Sequence, residues 1–170
     1  MLKIAIIGYS GSGKSTLANF LGQHYNCEVL HLDKIHFTSN WKERTVNEMT
    51  DDISKFMLQK DWIIEGNYSA CLYEERMREA DCIIYFNFNR VNCLYRAFRR
   101  YLKYKGRTRP SMAENCNEKF DFEFVKWILL DGHSQKNVTK FKVAVKKYPD
   151  KTIVLKNQKQ LNDYIMKKVK

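Results

Sequence analysis

The stretch Gly8-Tyr9-Ser10-Gly11-Ser12-Gly13-Lys14-Ser15-Thr16 combines residue types and spacing that can do chemistry on phosphate. It reads G-x-x-x-x-G-K-S, the pattern of a phosphate-binding loop. Its glycines permit backbone turns that gather several N–H groups around one anion. A helix beginning near Lys14 would add its unpaired N–H groups and the positive end of its dipole. In that setting Lys14 reaches the β- and γ-phosphates of ATP, and the Ser15 hydroxyl binds Mg²⁺. Gly8, Ser10, Gly11, Ser12, Gly13, Lys14, Ser15 and Thr16 are therefore the expected nucleotide-binding residues.

A phosphate-binding loop does not say where the phosphate goes. Groups at the ends of the other strands of an α/β sheet must supply that. Asp33 closes an apolar run and is either a Mg²⁺ ligand with Ser15, a base toward an acceptor hydroxyl, or a turn residue. Glu65, beside Gly66, is a second candidate. His36, Arg44, Asn67 and Tyr68 stand near these two in sequence and complete the expected acceptor site, while Phe37 and Trp41 either line it or belong to the core. The segment Cys82–Phe86 is not followed by the aspartate of a standard Walker B strand. Arg90, Arg96, Arg99, Arg100, Arg107 and Arg109 cluster after it. Of these, Arg96, Arg100 and Arg109 are expected to stabilise the charge that spreads during phosphoryl transfer. Arg96 and Arg100 share a helix face. His24 and His31 read as packing residues, and no histidine has metal-ligand spacing.

These residues need a scaffold, and the chain alternates strand and helix throughout, which points to a parallel sheet covered on both faces. Strands are expected at residues 2–7, 28–33, 62–65, 82–86 and 152–155. Thr45-Val46-Asn47-Glu48 has the form of a capping box for the helix that follows. Ser69 is expected to cap a helix over 70–80. Residues 34–44 read as a loop. The helix over about 91–104 is expected to turn Leu94, Phe98, Tyr101 and Leu102 inward and its arginines outward. Residues 105–119 have no apolar period and read as a lid, held open by its own positive charge when no anion is present. Asn157 caps the last helix and is grouped with the nucleotide-binding residues.

The chain has 170 residues and a formal net charge of +11. The excess sits in two regions. Residues 90–119 hold nine Lys or Arg against two acids, and residues 136–170 hold eleven Lys against two Asp. Arginines suit forked phosphate contacts, whereas the all-lysine region reads as solvated surface. Either can attract nucleic acid weakly and without sequence preference. No apolar run is long enough for a membrane span. Five cysteines without a C-x-x-C pair fit reduced thiols and a cytoplasmic setting.

The P-loop, His31-Leu32-Asp33, Trp62 through Ser69, Asn89-Arg90 and Arg107-Thr108-Arg109-Pro110 together resemble the bacterial DNA topology modulation proteins, an adenylate-kinase-related family. The resemblance covers nearly the whole chain. It implies a P-loop NTPase three-layer α/β sandwich of the nucleoside-monophosphate-kinase type, with a five-stranded parallel sheet in the order 2-3-1-4-5. It further implies one domain over 1–170, an acceptor-binding insert at about 34–60 and a lid at about 105–119. The implied activity is transfer of the ATP γ-phosphoryl group to a small acceptor, a nucleotide or a hydroxyl compound. An ATP-dependent regulator or nucleic-acid-binding protein, and a simple NTPase, are the alternatives. In this kinship Arg96 resembles an arginine that packs on the nucleotide base, and Arg109 resembles a lid arginine. Adenylate kinases carry Asp-Gly-x-Pro-Arg here, whereas Glu65-Gly66 is followed by Asn67-Tyr68 with the Pro and Arg missing, which argues against adenylate as acceptor. Asp33 is followed by Lys34-Ile35 where shikimate-type kinases carry a second Asp, which argues against shikimate.

Overall fold

The computed structural model describes residues 2–169. Five short strands, β1 (Lys3–Gly8), β2 (Val29–His31), β3 (Trp62–Glu65), β4 (Cys82–Phe86) and β5 (Thr152–Leu155), form one sheet. Their order is β2-β3-β1-β4-β5 and every pairing is parallel. The expected P-loop NTPase sandwich is thus the observed fold. Helices α1 (Lys14–Tyr25), α2 (Leu32–His36), α3 (Val46–Met57), α4 (Tyr73–Glu79), α5 (Arg90–Tyr104), α6 (Phe122–Leu129), α7 (Gln135–Lys147) and α8 (Gln158–Val169) connect and cover the strands. Because helices cover both faces, the central strands are apolar without alternation. Ile4 through Ile7, Trp62 through Ile64 and Ile83 through Phe86 are all buried. No described helix is long and apolar enough to cross a membrane.

Register decides which groups meet. Ile6 pairs with Glu65 and His31 with Glu65, so the carboxyl ends of β1, β3 and β2 come level. Gly8 pairs with Phe86, which brings the start of the phosphate loop to the end of β4.

Several local expectations are corrected. The second strand does not run to Asp33. It stops at His31, and the chain turns at once into α2. Leu32 is fully buried against the backbone of Gly66, where a Cβ would approach Leu32 to 2.7 Å. Asp33 therefore lies in the first turn of a helix, where a carboxylate is favoured. Residues 34–44 are not all loop, since they include α2 and a 3-10 turn at Ser39–Trp41. Ser69 caps no helix. Lys140 donates to its hydroxyl at 2.6 Å, and α4 starts only at Tyr73, after Leu72 at φ 51°. The capping box at Thr45 forms with both reciprocal hydrogen bonds.

The inward face of α5 is the largest correction. Cys93 and Ala97 are buried, whereas Phe98 and Leu102 are exposed. The cause is close approach of the phosphate loop. A Cβ on Gly11 would lie 2.4 Å from the Cys93 carbonyl oxygen and 3.2 Å from Ala97 Cβ. Only small side chains fit between α5 and that backbone, so Phe98 and Leu102 face away, while Leu94 packs half-buried against the core as expected.

Residues 105–119 hold no helix or strand, as expected, but they are seated rather than open. Met112, Ala113 and Cys116 are buried and form a small second core with Phe37 and Trp41. Trp41 N–H donates to Cys116 Sγ at 3.3 Å, and the Cys116 thiol donates to the Thr38 carbonyl at 3.3 Å. Glu118, also buried, supplies the negative charge that the arginine count alone left out.

Candidate active site

The phosphate loop is built by its neighbours as much as by its own residues. Gly8, Gly11 and Gly13 all have positive φ. At Gly8 a Cβ would lie 2.4 Å from the Phe86 carbonyl oxygen, so the close pairing with β4 itself requires glycine. Asn67 clips the start of the loop from both sides. Its Nδ2 donates to the Gly8 carbonyl at 2.7 Å, and its Oδ1 accepts from the Gly8 N–H at 3.0 Å. Ser12 Oγ donates to the Tyr9 carbonyl at 2.7 Å, and Lys14 Nζ donates to the same carbonyl at 3.0 Å. Trp127 Nε1 donates to Ser10 Oγ at 3.1 Å. Tyr9 itself packs away from this surface, stacked on His133 with ring centroids 3.7 Å apart. Thr16 is exposed. Burial lowers the pKa of Lys14, against the opposing pull of Glu65 and Asp33.

Ser15 does not meet Asp33. Its Oγ donates to Glu65 Oε2 at 3.0 Å. The same carboxylate oxygen accepts from His31 Nδ1 at 2.9 Å, and His31 Nε2 lies 2.8 Å from the Asn19 side-chain amide. Burial pushes the Glu65 carboxyl up, but the His31 hydrogen bond and the Lys14 charge prevail. Its pKa is held below the ordinary value. Glu65 is thus an ionised group at the foot of α1, next to the hydroxyl that P-loops use for metal. Two hard oxygens side by side suit Mg²⁺, which takes one or two protein oxygens and completes its shell with phosphates and water.

Asp33 faces a different set of groups. Tyr68 Oη donates to Asp33 Oδ1 at 3.0 Å, and Arg109 Nη2 lies 3.4 Å from Asp33 Oδ2. Arg109 also pairs with Glu118 at 3.5 Å, and Arg100 Nε donates to Glu118 Oε1 at 2.7 Å. Segment 105–119 therefore carries its arginine across to α2, with Glu118 holding two guanidinium groups together. The hydroxyl of Tyr68 is kept neutral, its pKa raised by burial and by Asp33.

The remaining expected residues are placed as follows. Arg96 reaches over Phe88, 5.3 Å from the ring centroid, to the Gln158 side chain. Its guanidinium occupies the space a Cβ on Gly13 would need. Asn157 Oδ1 accepts from the Gln160 N–H at 3.0 Å and caps α8. Arg44 turns away from Asp33, donating to the Ile35 carbonyl at 3.0 Å and to Asp52 at 2.7 Å. His36 Nδ1 is 3.1 Å from Met49 Sδ, and its ring packs on Phe37 and Tyr68.

Some contributors had no signal in the sequence. His31 reads as packing yet bonds through both ring nitrogens, and only the strand register places it beside Glu65. Arg76 is fully buried and donates to the Gly66 and Tyr68 carbonyls at 3.1 and 2.9 Å, fixing the turn that carries Asn67 and Tyr68. Burial lowers its pKa to about 10. Lys140 on α7 donates to the Asn67 carbonyl from the other side.

No protein-family model matches the chain, and no curated protein sequence matches it. Solved structures do. A gluconokinase from Sinorhizobium meliloti 1021 is similar with a TM-score of 0.56 at 12% identity, covering 98% of this chain and 89% of that one. Deoxyadenosine kinase from M. mycoides, solved with bound dATP, is similar with a TM-score of 0.54 at 14% identity, covering 99% of each chain. At such identities the likeness is one of fold, and both of these neighbours are kinases.

Proposed function

We propose that this chain is an ATP-dependent phosphotransferase that moves the γ-phosphoryl group to a hydroxyl of a small acceptor. One observation carries the reading. Ser15 at the start of α1, next to Lys14, donates to Glu65, while Asp33 is held by Tyr68 and by an arginine from the seated segment. That is a phosphate cradle, an oxygen pair for Mg²⁺, a base and a charge-stabilising group in one cleft. The kinase neighbours support the same class.

In this reading ATP lies on residues 8–16, its nucleoside toward Arg96 and the start of α8. Ser15 and Glu65 would hold Mg²⁺, which would supply charge neutralisation on the phosphates. Asp33 takes the proton of the acceptor hydroxyl as its oxygen bonds to the γ-phosphorus, and the bond to the departing ADP oxygen breaks. Residues 105–119 act as the lid, residues 34–60 as the acceptor insert, and the seated lid keeps water from competing.

The test is transfer of labelled phosphate from ATP to a panel of hydroxyl compounds, with Lys14→Ala beside the wild type. Loss of a charged phosphate contact should cost on the order of 1.5–3 kcal/mol in ATP binding while the fold persists. Unchanged ATP affinity and turnover in folded Lys14→Ala would remove the P-loop from the mechanism.

A further inference from the structure

α5 is built the wrong way round for a surface helix, which ordinarily turns its polar residues outward. Its core-facing residues are the small Cys93 and Ala97, because the phosphate loop presses on them. Its bulky apolar residues look outward. Val91, Tyr95, Phe98 and Leu102 are 72%, 60%, 42% and 57% exposed. Spaced by four, three and four residues, they form one row along the helix. Phe98 and the half-buried Tyr101 carry the row onto Phe120, with ring centroids 5.2 and 5.9 Å from it. A contiguous exposed apolar ridge of this kind marks a place where something docks.

Charge decides what docks. No acid occurs between Asp81 and Glu114. Arg90, Arg99, Lys103, Lys105 and Arg107 are exposed along α5 and just beyond it, and none is paired with an acid among the described residues. The Arg99 guanidinium lies 5.9 Å from the Tyr95 ring centroid, so cation and apolar row share one surface. Asp121 and Glu123 follow at the start of α6, where Asp121 is committed to the Phe124 N–H as the helix cap. A second copy of this chain would bring the same cations against these ones, and like charges repel. A nucleic acid would meet the cations and leave the apolar row in water. An anionic bilayer satisfies both at once. Tyr, Phe and Leu sink to the boundary between headgroups and acyl chains, while Lys and Arg reach the lipid phosphates.

We propose that the outer face of α5 docks this chain onto an anionic membrane surface. The helix has fifteen residues, too few to cross a bilayer, so it lies along the surface. Val91, Tyr95, Phe98 and Leu102 enter the headgroup boundary, and Arg99 and Lys103 hold lipid phosphate beside them. Arg96 and Arg100 of the same helix point inward, to Gln158 and Glu118. Docking therefore uses none of the residues of the cleft, and it is independent of the phosphotransferase reading.

The experiment mixes the whole chain with vesicles of phosphatidylcholine alone, or of phosphatidylcholine with an equal part of phosphatidylglycerol, and measures the bound fraction by co-sedimentation. Partition onto the phosphatidylglycerol vesicles should be at least about tenfold stronger. Tyr95→Gln with Leu102→Gln keeps helix propensity and charge, and should weaken that partition at least about tenfold. Arg99→Gln with Lys103→Gln should weaken it several-fold. Affinity for a nonhydrolysable ATP analogue, unchanged in both variants, shows that the fold is intact; where a pair fails that check, Val91→Gln alone takes its place. No partition onto either vesicle overturns the proposal. So does equal partition onto both, and so does partition that Tyr95→Gln with Leu102→Gln leaves unchanged, since the general positive charge then suffices. Self-association without lipid, broken by the same pair, gives the ridge to a second copy and overturns the proposal. Binding of a synthetic leucine-seamed helix flanked by glutamates, in preference to the vesicles, gives it to an acidic protein with the same result.

Discussion

Ser15 and Tyr68 divide the two carboxylates between two tasks. Ser15 donates to Glu65, and Tyr68 donates to Asp33, so the groups are separated by their partners although both follow strands. The sequence made Asp33 and Glu65 visible because each ends an apolar run. It could not pair them, because pairing depends on β2 stopping at His31 and on α2 turning Asp33 toward Tyr68. Replacing Glu65 by Gln leaves the shape and removes the charge beside Ser15. Transfer by Glu65→Gln should then need more Mg²⁺ to reach half its maximal rate. Asp33→Asn should instead leave the Mg²⁺ requirement and ATP affinity unchanged and lower the rate by about 10²–10⁴-fold, the usual loss for a general base. Titrating Mg²⁺ against the initial rate of each variant separates the two roles. A raised Mg²⁺ requirement in Asp33→Asn and not in Glu65→Gln would reverse the assignment.

The elements around the site were legible where pattern alone determines them and illegible where a neighbour's backbone does. β3, β4 and β5 fall on the residues their apolar runs indicated, and Thr45 caps α3 with the box its spacing spelled out. The face of α5 was misread because Gly11 presses on Cys93 and Ala97, a contact between segments far apart in sequence. Segment 105–119 was legible as irregular, but Glu118 was not recognisable as the group that seats it. That acid is buried and holds both Arg100 and Arg109. Glu118→Gln would leave two guanidinium groups repelling each other, at a cost of about 1.5–3 kcal/mol per lost charged hydrogen bond. The amides of residues 105–119 should then exchange hydrogen several-fold faster than in the wild type, and a bound ATP analogue should restore part of their protection. Equal exchange in both proteins would mean that Met112, Ala113 and Cys116 seat the segment without Glu118. Lys140 gives a pH test of the turn at Asn67. Burial lowers its pKa to about 8 from an ordinary 10.5. Between these values the unfolded chain binds more protons than the folded one, so folding stability rises with pH across that window. Below pH 8 the buried charge opposes folding. Denaturant unfolding of the wild type and Lys140→Met, from pH 7 to pH 10.5, should show the wild type gaining stability relative to the variant, and parallel curves would place Lys140 in water.

Across the whole molecule the charge of +11 raises the question of polyanions, and folding changes how much of it is available. Within residues 90–119 the structure turns Arg96, Arg100 and Arg109 inward, onto Gln158, Glu118 and Asp33. Arg90, Arg99, Lys103, Lys105, Arg107 and Lys119 remain exposed. In the lysine-rich third, Lys147 pairs with Glu74, and Lys151 donates to the carbonyls of Arg78 and Ala80. Of the six arginines in residues 90–119, three are therefore turned inward and three stand on the outer surface, where they are scattered cations rather than paired forks. Such a surface holds DNA by counterion release alone, with the logarithm of affinity falling by about 0.9 for each tenfold rise in salt per phosphate contacted. DNA binding should be weak at physiological salt, equal for unrelated sequences, and lost steeply between low and high salt. Saturating ATP analogue should not change it, because the nucleotide engages the inward arginines and the DNA the outward ones. Fluorescence anisotropy of labelled duplexes over a salt series, with and without the analogue, measures all of this. Binding that discriminates between sequences, survives high salt or responds to the nucleotide would instead support an ATP-dependent regulator acting on DNA, with the cleft as its switch rather than as a site of transfer.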